Sequence, residues 1–217
     1  MTKEGVFITL EGIDFSGKST QADYILARLK DGGLDVLFLR EPGGTELSER
    51  VRSILLSRKE IDICPKSELF LFLAARAQIV EEVIIPAINA GRIVLCDRFY
   101  DSTYAYQGFA RGLGLESVEP LNVMATSGLK PDLTILYDLP VSEARKRGAG
   151  FLSDHDRLEN ERVEFHERVR DGYHRLARRE PERIKLVDAS GQPQDVWKLT
   201  WEILGPFLEN RGFAVSG

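Results

Sequence analysis

The feature that most limits what this chain can fold into is a loop of nine residues. GIDFSGKST (12–20) follows the apolar run VFITLE and leads into a stretch where Ala22, Ile25, Leu26 and Leu29 fall on one helical face that stops at Gly32-Gly33. Gly12, Gly17, Lys18 and Ser19 satisfy G-x-x-x-x-G-K-[ST], with the strand before and the helix after that the motif requires. Such a turn can point successive amides inward under the positive end of a helix. Lys18 then reaches the β and γ phosphates of a nucleotide, and the Ser19 hydroxyl can ligate Mg2+. A Gly-rich turn without a ligand is the bland alternative, and the agreement of motif with context speaks against it. The expectation is a nucleoside triphosphate held by Gly12, Ile13, Asp14, Phe15, Ser16, Gly17, Lys18, Ser19 and Thr20.

Strand-length apolar runs recur at VFITL (6–10), VLFL (36–39), IVLC (93–96), LTILYDL (133–139) and IKLVD (184–188), alternating with amphipathic stretches. Runs that are apolar on both faces and separated by helices imply a parallel sheet covered on both sides. The fold class expected is α/β, a P-loop NTPase three-layer α/β/α arrangement on a five-stranded parallel sheet, forming one domain over 1–217. Helices are expected from Ser67 to Asn89 with a bend at Pro86, from Arg157 to Arg179, and from Gln194 to Glu209. RKRGAGFLSDHD (145–156) reads as a mobile loop. A net charge of −5 and a pI near 5.4 give no general basic field, so nucleic acid is not an expected partner. Cys64 and Cys96, far apart, suggest neither a disulfide nor a metal cluster. With no signal-like N-terminus and no membrane-length apolar run, the expectation is a cytoplasmic protein without a membrane partner.

A second strand ends in CDRFYDSTYAYQG (96–108). Asp97 sits where an acid could hold Mg2+, and Arg98 offers a planar fork that matches a second phosphate; a strand-end ion pair is the alternative. In SELFLFLAARAQ, Phe72 and Arg76 share a helical face and could grip a base by stacking and hydrogen bonding. From that segment alone, a core phenylalanine and a solvated arginine are the favoured reading.

FITLEGIDFSGKSTQ, LREPGGT, LFLAARAQ, CDRFYDSTYAYQG, PDLTILYDL and DRLENE, in this order and spacing, resemble bacterial thymidylate kinase from about Val6 to about Ala189. The resemblance implies a nucleoside monophosphate kinase-like fold, a homodimer, and transfer of the γ-phosphoryl of ATP to dTMP with Mg2+, giving ADP and dTDP. It reverses the reading of the helix: Phe72 would stack on thymine and Arg76 would bond its edge. Arg98 and Arg52 would hold the acceptor phosphate with Glu41 nearby, and Thr103 and Gln107 would contact the base. Tyr106 would pack against the sugar, and Asp14 would sit near its 3′-OH or the metal. Ser19 and Asp97 would be the metal ligands.

Phosphoryl transfer needs alignment and positive charge rather than a covalent nucleophile. His166 and His174 read as ordinary helix residues. Some family members carry an arginine inside the phosphate loop, where this chain has Phe15; others supply it from a lid. By resemblance this chain is of the second type, with a lid at about 142–157. Arg145, Arg147 and Arg157 are candidates, and Arg147 is the best match. The catalytic set implied is Lys18, Arg98, Arg147, Asp97 and Arg157. The spacer AGFLSDH departs from the family in being longer, as Phe15 does in its bulk. A GTPase-like switch would need an N/TKxD string, which the chain lacks. Kinases for another nucleoside monophosphate or for a deoxynucleoside, and a nucleic-acid-binding ATPase, are the remaining alternatives. One methyl between thymine and uracil is worth roughly 1 to 3 kcal/mol, so selectivity is expected to be incomplete.

Overall fold

The computed structural model describes residues 5–57, 62–149, 158 and 161–215. Its sheet has five parallel strands, β1 (Val6–Glu11), β2 (Val36–Arg40), β3 (Ile93–Asp97), β4 (Leu133–Asp138) and β5 (Ile184–Asp188), in the order β2-β3-β1-β4-β5. All six residues of β1 are buried, as expected of a central strand covered on both faces, whereas edge strand β2 leaves Phe38 partly exposed. The chain leaves β1 towards β2 and leaves β3 towards β4. Their carboxyl ends therefore diverge and open a crevice at the topological switch point.

The helices are α1 (Lys18–Asp31), α2 (Glu46–Leu56), α3 (Pro65–Ile79), α4 (Ile85–Asn89), α5 (Tyr100–Thr103), α6 (Leu115–Ala125), α7 (Val141–Gly148), α8 (Val163–Arg179) and α9 (Pro193–Asn210). Two π-helical stretches, Val80–Ile84 and Tyr104–Ala110, continue α3 and α5. The main core joins the central strands to the inner faces of α1, α3, α8 and α9. A smaller cluster of Val51, Leu55 and Ala75 seats α2 on α3, with Phe72 packed against it.

Three expectations need correction. The irregularity in the 67–89 helix lies before Pro86: Ile85 N–H reaches back five residues to Val80 O, and Pro86, lacking an N–H, then opens α4 in the first turn, where its fixed φ is tolerated. The helix expected from Arg157 starts at Val163, after an extended Arg162; position 157 lies outside the described residues. Within 145–156, expected to be a loop, RKRG is the last turn of α7. The face carrying Leu69, Leu73 and Val80, open to either core or interface from sequence, is core.

A buried ion pair ties α5 to the start of β5. Arg183 holds Asp101 through Nη1 and Nη2 at 2.7 and 2.9 Å, and Nη1 also reaches Thr134 Oγ1 at 2.8 Å. Removing one member strands a buried charge. Arg183→Met is expected to lower the unfolding free energy by about 3–5 kcal/mol in urea titrations. Arg179→Met, which breaks the exposed pair with Glu119, should cost less than about 1 kcal/mol.

Candidate active site

The crevice widens into a cavity of about 1000 Å³, lined from Asp14 to Gln21 by the glycine-rich loop and the start of α1. Gly12 and Ile13 lie behind that lining. Gly12 has φ 141°, and a Cβ there would fall 2.5 Å from Tyr137 O, so both backbone angle and space demand glycine. Lys18 folds back on its own loop, donating to Gly12 O at 3.0 Å and Ile13 O at 2.9 Å. Burial, with the charge of Arg98 adding, pushes its pKa down to about 8. Ser16 Oγ and Asp97 Oδ1 are buried without a partner in the structure described. Asp97 ends β3 beside the loop, so an orphaned carboxylate oxygen and the Ser19 hydroxyl form an oxygen donor set suited to Mg2+.

Arg98, next after β3, has φ 68°, a conformation a non-glycine residue adopts only when its surroundings enforce it. The turn aims its guanidinium back across the loop. Nη2 donates to Asp14 Oδ1, and Nη1 to Gly12 O at 3.0 Å, with Ser102 Oγ and Tyr173 OH each at 3.3 Å. Tyr106 OH donates to Asp14 Oδ2 at 3.2 Å, and the Arg98 guanidinium lies 5.2 Å from its ring centre. Burial opposes the Asp14 charge, yet Arg98 and Lys18 hold its carboxyl below the usual range. Beneath this group is Glu11, the fully buried last residue of β1. It accepts from Phe99 N–H at 2.7 Å, Ser102 Oγ at 2.6 Å and Tyr173 OH at 2.7 Å. Sequence reasoning missed Glu11, Ser102 and Tyr173. An acid closing an apolar strand was visible at Glu11 just as at Asp97.

At the far end, Phe72 faces the cavity and Arg76 lies behind it, 2% exposed. Arg76 Nε donates to Glu41 Oε2 at 2.8 Å, and Nη1 to Thr103 Oγ1 at 2.7 Å and Asn122 Oδ1 at 3.0 Å. The solvated-arginine reading is thereby excluded. Glu41 pairs with Arg76, and burial raises its pKa against that neighbour. Arg52 lines the wall and donates to Pro42 O at 2.9 Å. Thr103, Tyr106 and Gln107 complete this end.

Of the lid arginines, Arg147 lines the cavity, donating from Nη2 to Ala189 O at 2.8 Å, beside the loop 189–193 that closes the opposite wall. Arg145 is exposed on α7, and Arg157 lies outside the described residues, as does His155. Phe15, at φ 62°, lays its ring on α7: a Cβ on Gly148 would meet that ring at 2.7 Å. His174 bonds Asp138 alongside Arg170, away from the cavity.

With the glycine-rich loop joined through Arg98 to an aromatic end at the carboxyl edge of a 2-3-1-4-5 parallel sheet, the fold is that of a P-loop phosphotransferase of the nucleotide kinase class. The family model for thymidylate kinase matches residues 10–199. The thymidylate kinase of Desulfovibrio desulfuricans is 48% identical over 213 residues, covering 95% of this chain and 98% of that protein. That of Pseudomonas putida is 50% identical over 188 residues, 86% and 88% respectively. A crystal structure of thymidylate kinase from Ehrlichia chaffeensis superposes with a TM-score of 0.75 at 33% identity, covering 93% of this chain and 99% of that one. The chain belongs to the thymidylate kinase family.

Burial, reinforced by Asp101, raises the pKa of Glu11 from 4.5 to about 7, with Arg98, Ser102 and Tyr173 pulling the other way. A carboxyl with a raised folded-state pKa favours folding fully below its unfolded value, and that contribution is lost as pH rises to about 7. The stability difference between wild type and Glu11→Gln should therefore shift against wild type between pH 4.5 and 7.5. A difference independent of pH in urea titrations would contradict the assignment.

Proposed function

We propose that this chain transfers the γ-phosphoryl group of ATP to the 5′-phosphate of dTMP, giving ADP and dTDP for nucleotide biosynthesis. The observation that carries the reading is one cavity with Arg98 between its two ends: its guanidinium touches Gly12 O and Asp14 of the glycine-rich loop, and Phe72 and Arg76 line the other end. Kinase chemistry follows from family membership; the residue roles are those the family resemblance implies, and the shared cavity supports them.

The loop amides of 14–19 and Lys18 would hold the donor phosphates, Lys18 exchanging its bonds to Gly12 and Ile13 for phosphate oxygens. Mg2+ would be held by Ser19 and Asp97 and supplies charge neutralisation between the terminal phosphates. Arg98 and Arg52 would hold the acceptor phosphate in line. Phe72 would stack on the pyrimidine, Arg76 would bond its exocyclic oxygen, and Thr103 and Gln107 would complete the base contacts. Tyr106 packed against the sugar leaves little room for a 2′-OH, while Asp14 faces the 3′ side. Ala189 to Pro193 would flank the donor base. Arg147, which lines the cavity, would move onto the transferring group, and Arg157 would join it. The acceptor phosphate is already largely ionised near neutral pH, so no protein base is required. The chain would act as a single domain with its lid at about 142–157, in the cytoplasm and as a homodimer. Exposed Leu47, Ile54, Phe70, Val123 and Met124 on the neighbouring helices α2, α3 and α6 supply an apolar face for pairing.

ADP release in a coupled assay should depend on added dTMP; turnover indifferent to dTMP would overturn the reading. Arg147→Ala should lower kcat at least about 10^3-fold while KM for dTMP changes little. Phe72→Ala should do the reverse, raising KM for dTMP about tenfold or more through lost stacking, read by initial rates at saturating ATP.

A further inference from the structure

Glu68, Phe72 and Arg76 recur at four-residue spacing on α3 and share one face. Across from them Thr103, Gln107 and Arg111 recur likewise, and the two rows bond rung to rung. At one rung Arg76 Nη1 donates to Thr103 Oγ1 at 2.7 Å. At the other, Gln107 Nε2 donates to Glu68 Oε1 at 2.8 Å, and Arg111 closes on the same carboxylate through Nε at 3.2 Å and Nη2 at 3.1 Å. Phe72 stands between the rungs, so a ring stacked on it has its edge between Arg76 and Gln107.

A carboxylate paired with arginine only accepts hydrogen bonds. Glu68 is fully buried and Gln107 is 1% exposed, so the amide has no room to choose freely. Its NH2 must face Glu68, which leaves the carbonyl Oε1 as the group offered to the cavity, with no partner among the described residues. At the opposite rung Arg76 has spent Nε on Glu41 and Nη1 on Thr103 and Asn122, and Nη2 has no partner among the described residues. The ring edge thus meets one donor and one acceptor. That pair complements the adjacent C=O and N–H of an imide, as in thymine or uracil. It opposes cytosine, which presents NH2 and a bare ring nitrogen in those places.

Resting on the acceptor reading above, we propose that Glu68, clamped by Arg111, is a positioning residue that sets base-edge specificity by fixing which end of the Gln107 amide faces the substrate. Gln107 makes the contact; Glu68 dictates its sense. Replacing the carboxylate with an amide removes the dictate, because glutamine can accept or donate at the same position.

The test measures inhibition or binding constants for dTMP, dUMP and dCMP on wild type and Glu68→Gln, since these need no turnover of the poor substrates. The preference for dTMP over dCMP is expected to fall at least about tenfold in the variant, because the mismatch no longer leaves buried polar groups unpaired. The preference for dTMP over dUMP, which share one imide edge, should stay within about twofold. Ratios taken on one preparation are insensitive to the folded fraction. An unchanged dTMP/dCMP ratio overturns the proposal, and so does a parallel fall in both ratios, which would mark a loosened pocket. If Glu68→Gln does not fold, Glu68→Met/Arg111→Met/Glu161→Gln, which also neutralises the carboxylate that Arg111 Nη1 holds at 2.6 Å, should produce the same selective fall. Wild type that binds no dTMP would instead overturn the acceptor reading itself.

Discussion

Two phosphate groups brought end to end repel each other, and under the proposed reading Arg98 is the charge that would offset that repulsion. Its backbone is held at φ 68° by the pairing of its N–H with Leu10 O and by Glu11, which caps the following Phe99 N–H. Its guanidinium then has a single direction to take, across Gly12 and Asp14. The strain is sustained because three elements determine it together: β1 through Glu11, β3 through its own trajectory, and α8 through Tyr173. Without that turn the phosphate loop and the aromatic end of the cavity would be separate sites on one sheet. The arginine joins them as one cavity.

The cavity is electrostatically poised without being neutral at every point. Lys18 rests on two carbonyls and Arg98 on a carboxylate, interactions that anionic phosphates would outcompete. Asp97 Oδ1, Glu41 Oε1 and Ser16 Oγ are buried without partners in the structure described. Buried unsatisfied acceptors cost stability in an empty protein, about 1–3 kcal/mol each. Their clustering around the cavity fits groups whose partners arrive with the substrates and metal.

The five strands, their parallel arrangement and the glycine-rich loop could be read from apolar runs and spacing because strand burial on both faces imprints directly on sequence, whereas the strand order could not. Asp97 and Arg98 were legible for the same reason, as polar residues breaking an apolar run at a carboxyl end. Glu11 carried that same mark but was absorbed into the motif that follows it. Arg76 could not be assigned from its own segment, since an arginine on an apolar helix is ordinarily solvated; its partners Glu41, Thr103 and Asn122 come from three other parts of the chain. The family resemblance supplied what periodicity lacked. Glu68 and Arg111 escaped both routes, because the pairing that gives them meaning exists only once α3 faces the π-helical stretch after α5. That widened turn also explains why no regular 3.6-residue pattern announces it.

Phe15 ties these observations to the lid. A bulky residue at φ 62° in a phosphate loop is a local cost, and the structure shows what offsets it: the ring covers α7 at Gly148, where any side chain would collide. Arg147 is the residue just before that glycine, so the contact that seats α7 on the loop also brings the arginine to the cavity wall. A chain with its arginine inside the loop has that charge in place whatever the lid does. Here the loop position carries an aromatic platform, and the arginine at the cavity wall comes from α7. Phe15 against Gly148 and Ala189 O on Arg147 thus hold α7 and its arginine together, one from the phosphate loop and the other from the loop after β5.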